Sequence, residues 1–293
     1  MDATWLDTFR FRRRGTGRPW IRPGTRIVEL PKASVRVREA GSGPIAIVFV
    51  ADPPNVIEHY DALFERLAPW ACVICFEAPG FGFSIPRRGY RFALADQVET
   101  MRELLVALER GPYVLAFSCV AGFAALTLAA ESPELVRQLV LMQVPSWPEE
   151  VKWMRRVDRG GLIATPVVGQ LLMKARPRWV TRQWYEVALP SGRNREPFLQ
   201  PALSALEGGG TFSLASAFQA LRGAAPPASG PSLHPTLVVW GSADRTHRRT
   251  DRRSILEHVP RAAIVEFETS GHFPELEDPG RFCDLLHRFV HDF

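Results

Sequence analysis

The run Ile45-Ala-Ile-Val-Phe-Val50 contains no polar side chain, and most of its residues are β-branched. A strand with one wet face would alternate apolar with polar, so an unbroken run of this kind belongs to a central strand covered on both sides. That requirement calls for a layer above and a layer below, and the rest of the chain supplies them. Strand-like runs at Cys72–Glu77, Tyr113–Ser118 and Val136–Gln143 each follow a helix-like segment, at His59–Leu67, Leu94–Glu109 and Gly122–Glu131. A further strand, Thr236–Trp240, comes late. Such alternation predicts an α/β chain with a mostly parallel, doubly wound sheet and ligands at the carboxyl ends of its strands. Catalytic residues are then expected just after strands. Ahead of the run, Arg26–Val35 and Val35–Glu39 read as two antiparallel strands, and Gly41-Ser-Gly-Pro44 as a turn.

The alternation breaks between about Ser146 and Ser232, where helix-like stretches are separated by Gly208-Gly209-Gly210 and Pro226-Pro227. We read residues 146–231 as a helical lid inserted into a core formed by 26–145 and 232–293, with a basic arm at 1–25. Trp147, Trp153, Trp179 and Trp184 fall in this insertion, where they either line an apolar pocket or pack helices together. Its Gly and Pro segments are expected to permit movement.

The net charge of +5 raises the question of nucleic acid. Residues 1–40 alone carry +6, however, and no basic stripe runs through the remainder. Arg10, Arg12, Arg13 and Arg14 therefore read as a solvated arm or as ion pairs on a first strand, and no nucleic-acid partner is expected. Four cysteines in 293 residues make no disulfide framework, which suggests a reducing cytoplasm. Cys72 and Cys75 have CxxC spacing but lie on a strand, where residues three apart face opposite ways, so buried core thiols are expected. The longest apolar stretch, Tyr113–Ala130, is interrupted by Ser118, Cys119, Gly122 and Thr127, so it reads as strand, turn and helix and not as a membrane span.

The chemistry-bearing signals lie late in the chain. Pro235-Thr-Leu-Val-Val-Trp-Gly-Ser-Ala-Asp244 is a buried strand that ends in an acid, and Ser270-Gly-His272-Phe-Pro-Glu-Leu-Glu-Asp-Pro279 opens a last amphipathic helix. Glu77-Ala-Pro-Gly-Phe-Gly-Phe-Ser84 lies after an earlier strand. Here the sequence resembles the α/β-hydrolase superfamily, in its lidded esterase, epoxide-hydrolase and dehalogenase-like branch. The 77–84 stretch is similar to that family's D-x-P-G-x-G-x-S loop, with Glu in place of Asp. The resemblance implies that Asp244 fixes the tautomer of His272 and that His272 moves protons.

The turn carrying the nucleophile departs from the family's G-x-S-x-G. In Val114-Leu-Ala-Phe-Ser-Cys-Val-Ala-Gly122, alignment from the helix side puts Cys119 at the nucleophile position. A register slip of one would make it Ser118. A thiol beside His272 and at a helix N-terminus is expected to ionise readily and to be exposed at the turn, the alternative being a small buried core thiol. Cysteine here resembles dienelactone hydrolases and polyhydroxyalkanoate synthases, which act on activated acyl groups. The backbone N–H of Val120 is the remaining oxyanion donor. The family's other donor falls at Pro53, within Ala51-Asp-Pro-Pro54, and proline has no N–H. Asp52 either enters the pocket as an acid, base or substrate anchor, or caps the turn before Pro53.

The expected function is acyl-transfer chemistry, by hydrolysis, transfer or cyclisation, on an activated ester, lactone or thioester through Cys119, His272 and Asp244. Two alternatives stand beside it. One is a non-hydrolytic cyclase or lyase of secondary metabolism using Asp52 and His272 as acid and base; the other is a catalytically silent ligand-binding member of the fold. The expected partner is a small-molecule or carrier-bound acyl substrate, without cofactor, metal or membrane, and the oligomeric state is left open.

Overall fold

The computed structural model describes residues 3–11, 22–225 and 230–292. Its main sheet is built from β1 (Thr25–Glu29), β2 (Ala33–Ala40), β3 (Ile45–Ala51), β4 (Ala71–Glu77), β6 (Ile85–Pro86), β7 (Tyr113–Ser118), β8 (Val136–Met142), β10 (Thr236–Gly241) and β11 (Ala263–Phe267). A separate pair joins β5 (Phe81–Gly82) to β9 (Thr211–Phe212). The strand order is β1-β2-β4-β3-β7-β8-β10-β11, with β6 paired to β2. From β4 to β11 every neighbour is parallel, while β2 runs antiparallel to β1, β4 and β6.

The apolar runs explain this arrangement. Every residue of β3, β4, β7 and β10 is buried, as strands covered on both faces require. One face is covered by α3 (Leu94–Leu108) and α4 (Ala121–Glu131), the other by α2 (Asp61–Leu67) and α11 (Pro279–His291). Cys72 and Cys75 fall in these two different layers, and all four cysteines are free. Among the described residues, no helix is long and apolar enough to cross a membrane.

Between β8 and β10 the chain inserts five helices: α5 (Trp147–Val157), α6 (Val168–Ala175), α7 (Pro177–Ala188), α8 (Glu196–Glu207) and α9 (Leu214–Arg222). The 208–210 glycines follow α8 and lead into β9, which ties the insertion to the loop after β4. Pro226 and Pro227 lie outside the described residues, as do Arg12, Arg13, Arg14 and the Arg10 side chain. Trp5–Phe11 forms α1, and Asp7 is buried, accepting a hydrogen bond from Ser216 of the insertion at 2.6 Å.

The 77–84 loop is held by charge. Glu77 is fully buried, accepts the Phe83 amide at 2.7 Å and pairs with Arg36 at 3.0 Å. Arg36 also pairs with Glu58. Burial pushes the Glu77 carboxyl up to about 7, against the pull of Arg36. Removing one partner of a buried ion cluster leaves uncompensated charge, a loss of about 3–5 kcal/mol. Arg36→Met should lose stability of that order in urea unfolding; a loss below about 1 kcal/mol would contradict this role.

Candidate active site

β7 ends at Ser118 and α4 begins at Ala121, so the strand-to-helix turn has two residues. Cys119 takes its apex with φ 51°, a left-handed conformation that side-chain-bearing residues seldom adopt. The turn is secured by the Cys119 N–H donating to Met142 O at 2.9 Å and the Gly122 N–H donating to Cys119 O at 3.0 Å. A Cβ at Gly122 would lie 2.4 Å from Val144 Cγ2, so glycine lets α4 approach the segment leaving β8. Ser118 is the last strand residue, and its hydroxyl donates to Glu275 at 3.3 Å. Of the two candidates, Cys119 lines the principal cavity, together with Val120; Ser118 is not among the described residues that line it.

Asp244 and His272 leave neighbouring parallel strands, β10 and β11, and their loops meet closely. A Cβ at Gly241 would sit 1.7 Å from Gly271 O, so the approach needs a residue without one. Asp244 Oδ2 lies 2.7 Å from His272 Nδ1. The same oxygen accepts from Gln143 Nε2 at 2.7 Å, while Oδ1 accepts the Thr246 amide and hydroxyl, each at 2.7 Å. Burial alone would raise the Asp244 carboxyl, yet His272, His247 and the Thr246 hydroxyl bring it down to about 2. The His272 loop is held by Glu277, which accepts the Gly271 and Phe273 amides at 2.8 and 3.2 Å, and by the His272 N–H donating to Ala188 O of α7 at 2.9 Å.

Asp52 stands across the imidazole, its Oδ2 3.4 Å from His272 Nε2, and it lines the cavity. The turn from Asp52 to Asn55, with Pro53 and Pro54 inside it, is closed by the Asp52 backbone carbonyl, which accepts the Asn55 amide at 2.9 Å. Pro53 also lines the cavity, without an N–H. Val120 stands at the start of α4, where amides have no intrahelical acceptor. Carboxylates thus face both ring nitrogens of His272. Burial disfavours its charge, but Asp244, Asp52 and Cys119 outweigh this and hold the imidazole well above its ordinary value.

The thiol departs from expectation. Cys119 is buried, not exposed at the turn. Burial first, then Glu150 and Asp52, push it above the usual thiol range, and His272 offsets them only in part. Glu150 reaches this point from α5, Oε1 4.0 Å from Cys119 Sγ. Burial pushes its carboxyl up to about 8, and that of Glu275 likewise to about 8.

The cavity above Cys119 has a volume of about 350 Å³ and mostly apolar walls, including Phe81, Phe212, Phe218, Trp153, Trp179 and Trp184. Trp147 instead packs edge-on against Phe123 in the core, at 4.9 Å. Trp153 stacks on His272 at 5.9 Å and donates to Thr246 Oγ1 at 3.0 Å, so one insertion side chain braces both His272 and the Asp244 loop. The ligand atoms of Asp52, Cys119 and His272 lie within 4.8 Å of one another, as do those of Asp244, His247 and His272.

Gln143, Glu150, Thr246 and Glu277 were not singled out in the sequence. Gln143 directly follows a strand, where site residues are expected. Glu150 shares the spacing of Trp147 and Met154, placing an acid on the buried stripe of α5.

A model of the alpha/beta hydrolase family matches residues 41–285. An uncharacterized protein of Mycobacterium tuberculosis is 25% identical over 269 residues, covering 86% of this chain and 77% of that protein. The fold is similar to that of an epoxide hydrolase of Bacillus megaterium, with TM-score 0.72, 15% identity and coverage of 91% of this chain and 100% of that one. It is also similar to an esterase of Thermogutta terrifontis, with TM-score 0.72, 18% identity and coverage of 91% and 98%. A strand-to-helix turn at Cys119, an Asp244–His272 pair after the last two strands and a match over most of the chain converge: the protein is an enzyme of the alpha/beta hydrolase family.

Proposed function

We propose that this enzyme cleaves or transfers activated acyl groups, of the thioester or lactone type, through a covalent acyl intermediate on Cys119. The observation that carries this reading is the position of the Cys119 thiol: it sits on a left-handed strand-to-helix turn, opens on an apolar cavity and lies within 4.8 Å of His272 and Asp52. In this reading the acyl chain occupies the apolar cavity, and the helical insertion acts as a lid that selects it. The substrate is a small molecule or a carrier-bound thioester.

The surroundings favour an activated substrate. In this reading Val120 offers a backbone N–H where Pro53, which also lines the cavity, cannot, and loss of one oxyanion donor costs about a hundredfold or more in rate. A good leaving group compensates for a poorly stabilised oxyanion. His272, held protonated between Asp244 and Asp52, delivers a proton from Nε2 to that leaving group and later takes one from the attacking water. Asp244 keeps Nδ1 engaged throughout, with Gln143 and Thr246 fixing its two oxygens.

A second reading is favoured by one distance, the 3.4 Å between Asp52 Oδ2 and His272 Nε2. A carboxylate so close to the working nitrogen suits acid–base chemistry without a covalent intermediate, as in a cyclase or lyase.

Intact-mass spectra after incubation with a panel of acyl thioesters and lactones should show one acyl adduct that maps to Cys119 and is absent in Cys119→Ala. No adduct across the panel would contradict the covalent reading. Asp52→Asn separates the two alternatives. In the acyl reading it lowers turnover by about tenfold to a hundredfold, through a less basic His272, and still permits the adduct. If Asp52→Asn abolishes turnover while Cys119→Ala keeps it, the acid–base reading replaces the first.

A further inference from the structure

The outer face of the insertion is inverted for a surface in water. On α6 the buried side carries Gly169, Gln170 and Met173, while Val168 and Leu171 are exposed, Leu171 by 55%. A helix on a wet surface ordinarily turns its apolar stripe inward. Slack packing does not explain the inversion, because Gln170 fixes the register. Its amide donates to Ser216 at 3.2 Å and to Gln219 at 2.8 Å, and its carbonyl accepts the Val167 N–H at 2.9 Å. Rotating α6 to bury Leu171 would break all three. Exposed apolar side chains continue on either side, at Leu162 and Val167 before the helix and at Trp179 on α7.

The same stretch is basic and free of acids. Residues 159–185 contain Arg159, Lys174, Arg176, Arg178 and Arg182 and no Asp or Glu. The nearly neutral sum of the chain beyond residue 40 conceals this run, so the expectation of no basic stripe there is corrected locally. The expectation of no membrane partner rested on that sum and on the lack of a spanning run, and neither bears on a surface helix. Lys174, Arg176, Arg178 and Arg182 are all exposed. Arg178 pairs with Glu207 at 3.1 Å, and the other three make no salt bridge among the described residues. The stretch also borders the cavity, which Leu172, Trp179, Val180 and Gln183 line. Trp179 and Gln183 are exposed at the same time, so they stand at its mouth.

We propose that α6 and α7, with the 162–167 segment before them, dock on an anionic lipid surface. Headgroup phosphates take Lys174, Arg176 and Arg182, while Val168, Leu171 and Trp179 reach the boundary of the acyl chains. Tryptophan suits that depth, since its ring is apolar with one polar edge. Other occupants match only half of this surface. A nucleic acid would meet the cations but set the apolar side chains against phosphates. A second copy docked symmetrically would bring two basic, acid-free faces together. Docking puts the cavity mouth at the bilayer, so an amphiphilic acyl substrate reaches the cavity without crossing water. That delivery extends the acyl reading, but the docking itself does not depend on it.

Vesicle flotation of the full chain tests this without turnover, so an acyl panel that yields no adduct would refute the acyl reading and leave the docking standing. The protein should float with vesicles of mixed phosphatidylcholine and phosphatidylglycerol and stay in solution with phosphatidylcholine alone. The bound fraction should fall as salt screens the cations. Lys174→Glu/Arg176→Glu/Arg182→Glu should lower affinity for the anionic vesicles by at least about a hundredfold. Leu171→Ser/Trp179→Ser should lower it by at least about tenfold. Arg12→Glu/Arg13→Glu/Arg14→Glu changes the charge equally and should cost less than the α6–α7 reversal; a larger loss there overturns the assignment. Should a variant unfold, hydrogen–deuterium exchange on the wild type decides instead, with protection by anionic vesicles expected over 162–182. Protection confined to other segments, or equal flotation with neutral vesicles, overturns the proposal. So does the absence of flotation with anionic vesicles, which would give this surface to a second copy or to an acidic protein.

Discussion

A buried imidazole held between two carboxylates organises this molecule. His272 has no exposure to solvent, and a charge there is affordable only because Asp244 and Asp52 face its two nitrogens. Asp244 must itself be held, so Gln143, directly after β8, spends its amide on Asp244 Oδ2 and its carbonyl on the Gly241 amide at 2.8 Å. The loop that carries His272 is anchored from the opposite side, through Ala188 of the insertion and Glu277 at the head of the last helix pair. Trp153 stacks on the ring and reaches Thr246. Core strands, insertion and C-terminal helices thus meet at one side chain.

The chemistry at Cys119 follows from the same charge arrangement. Burial first, then the neighbouring Glu150 and Asp52, push the Cys119 thiol above its usual range, and His272 offsets them only in part. His247, pushed down to about 3 chiefly by burial, stacks near His272 as a neutral ring and adds no competing charge.

Much of the scaffold was legible in the sequence, because its signals are local. The unbroken apolar run at 45–50 required a two-sided sheet, and the acid and histidine after the last two strands sit where parallel sheets place their sites. The turn at 118–119 was ambiguous because two candidate side chains are adjacent. The backbone separates them: Cys119 takes the left-handed conformation, and the Ser118 hydroxyl goes to Glu275. What could not be read depends on distant segments meeting. The thiol looked readily ionised from its helix and histidine alone, since nothing near position 119 announces that Glu150 and Asp52 converge on it. Gln143 is invisible for a similar reason, as its partners lie about a hundred residues away. Trp5–Phe11 folds as a helix whose Asp7 accepts from Ser216, a partner more than two hundred residues away.

The charge state of His272 is the premise on which the proposed proton delivery to the leaving group rests. Nitrogen-15 NMR of histidine-labelled protein, with His272 assigned by its loss in His272→Gln, reads that state directly. Two protonated ring nitrogens should persist above the ordinary histidine value of about 6.5, because a raised pKa keeps the cation until the pH passes the folded-state value. A His272 signal of a single neutral tautomer at neutral pH, titrating at or below that ordinary value, would contradict it.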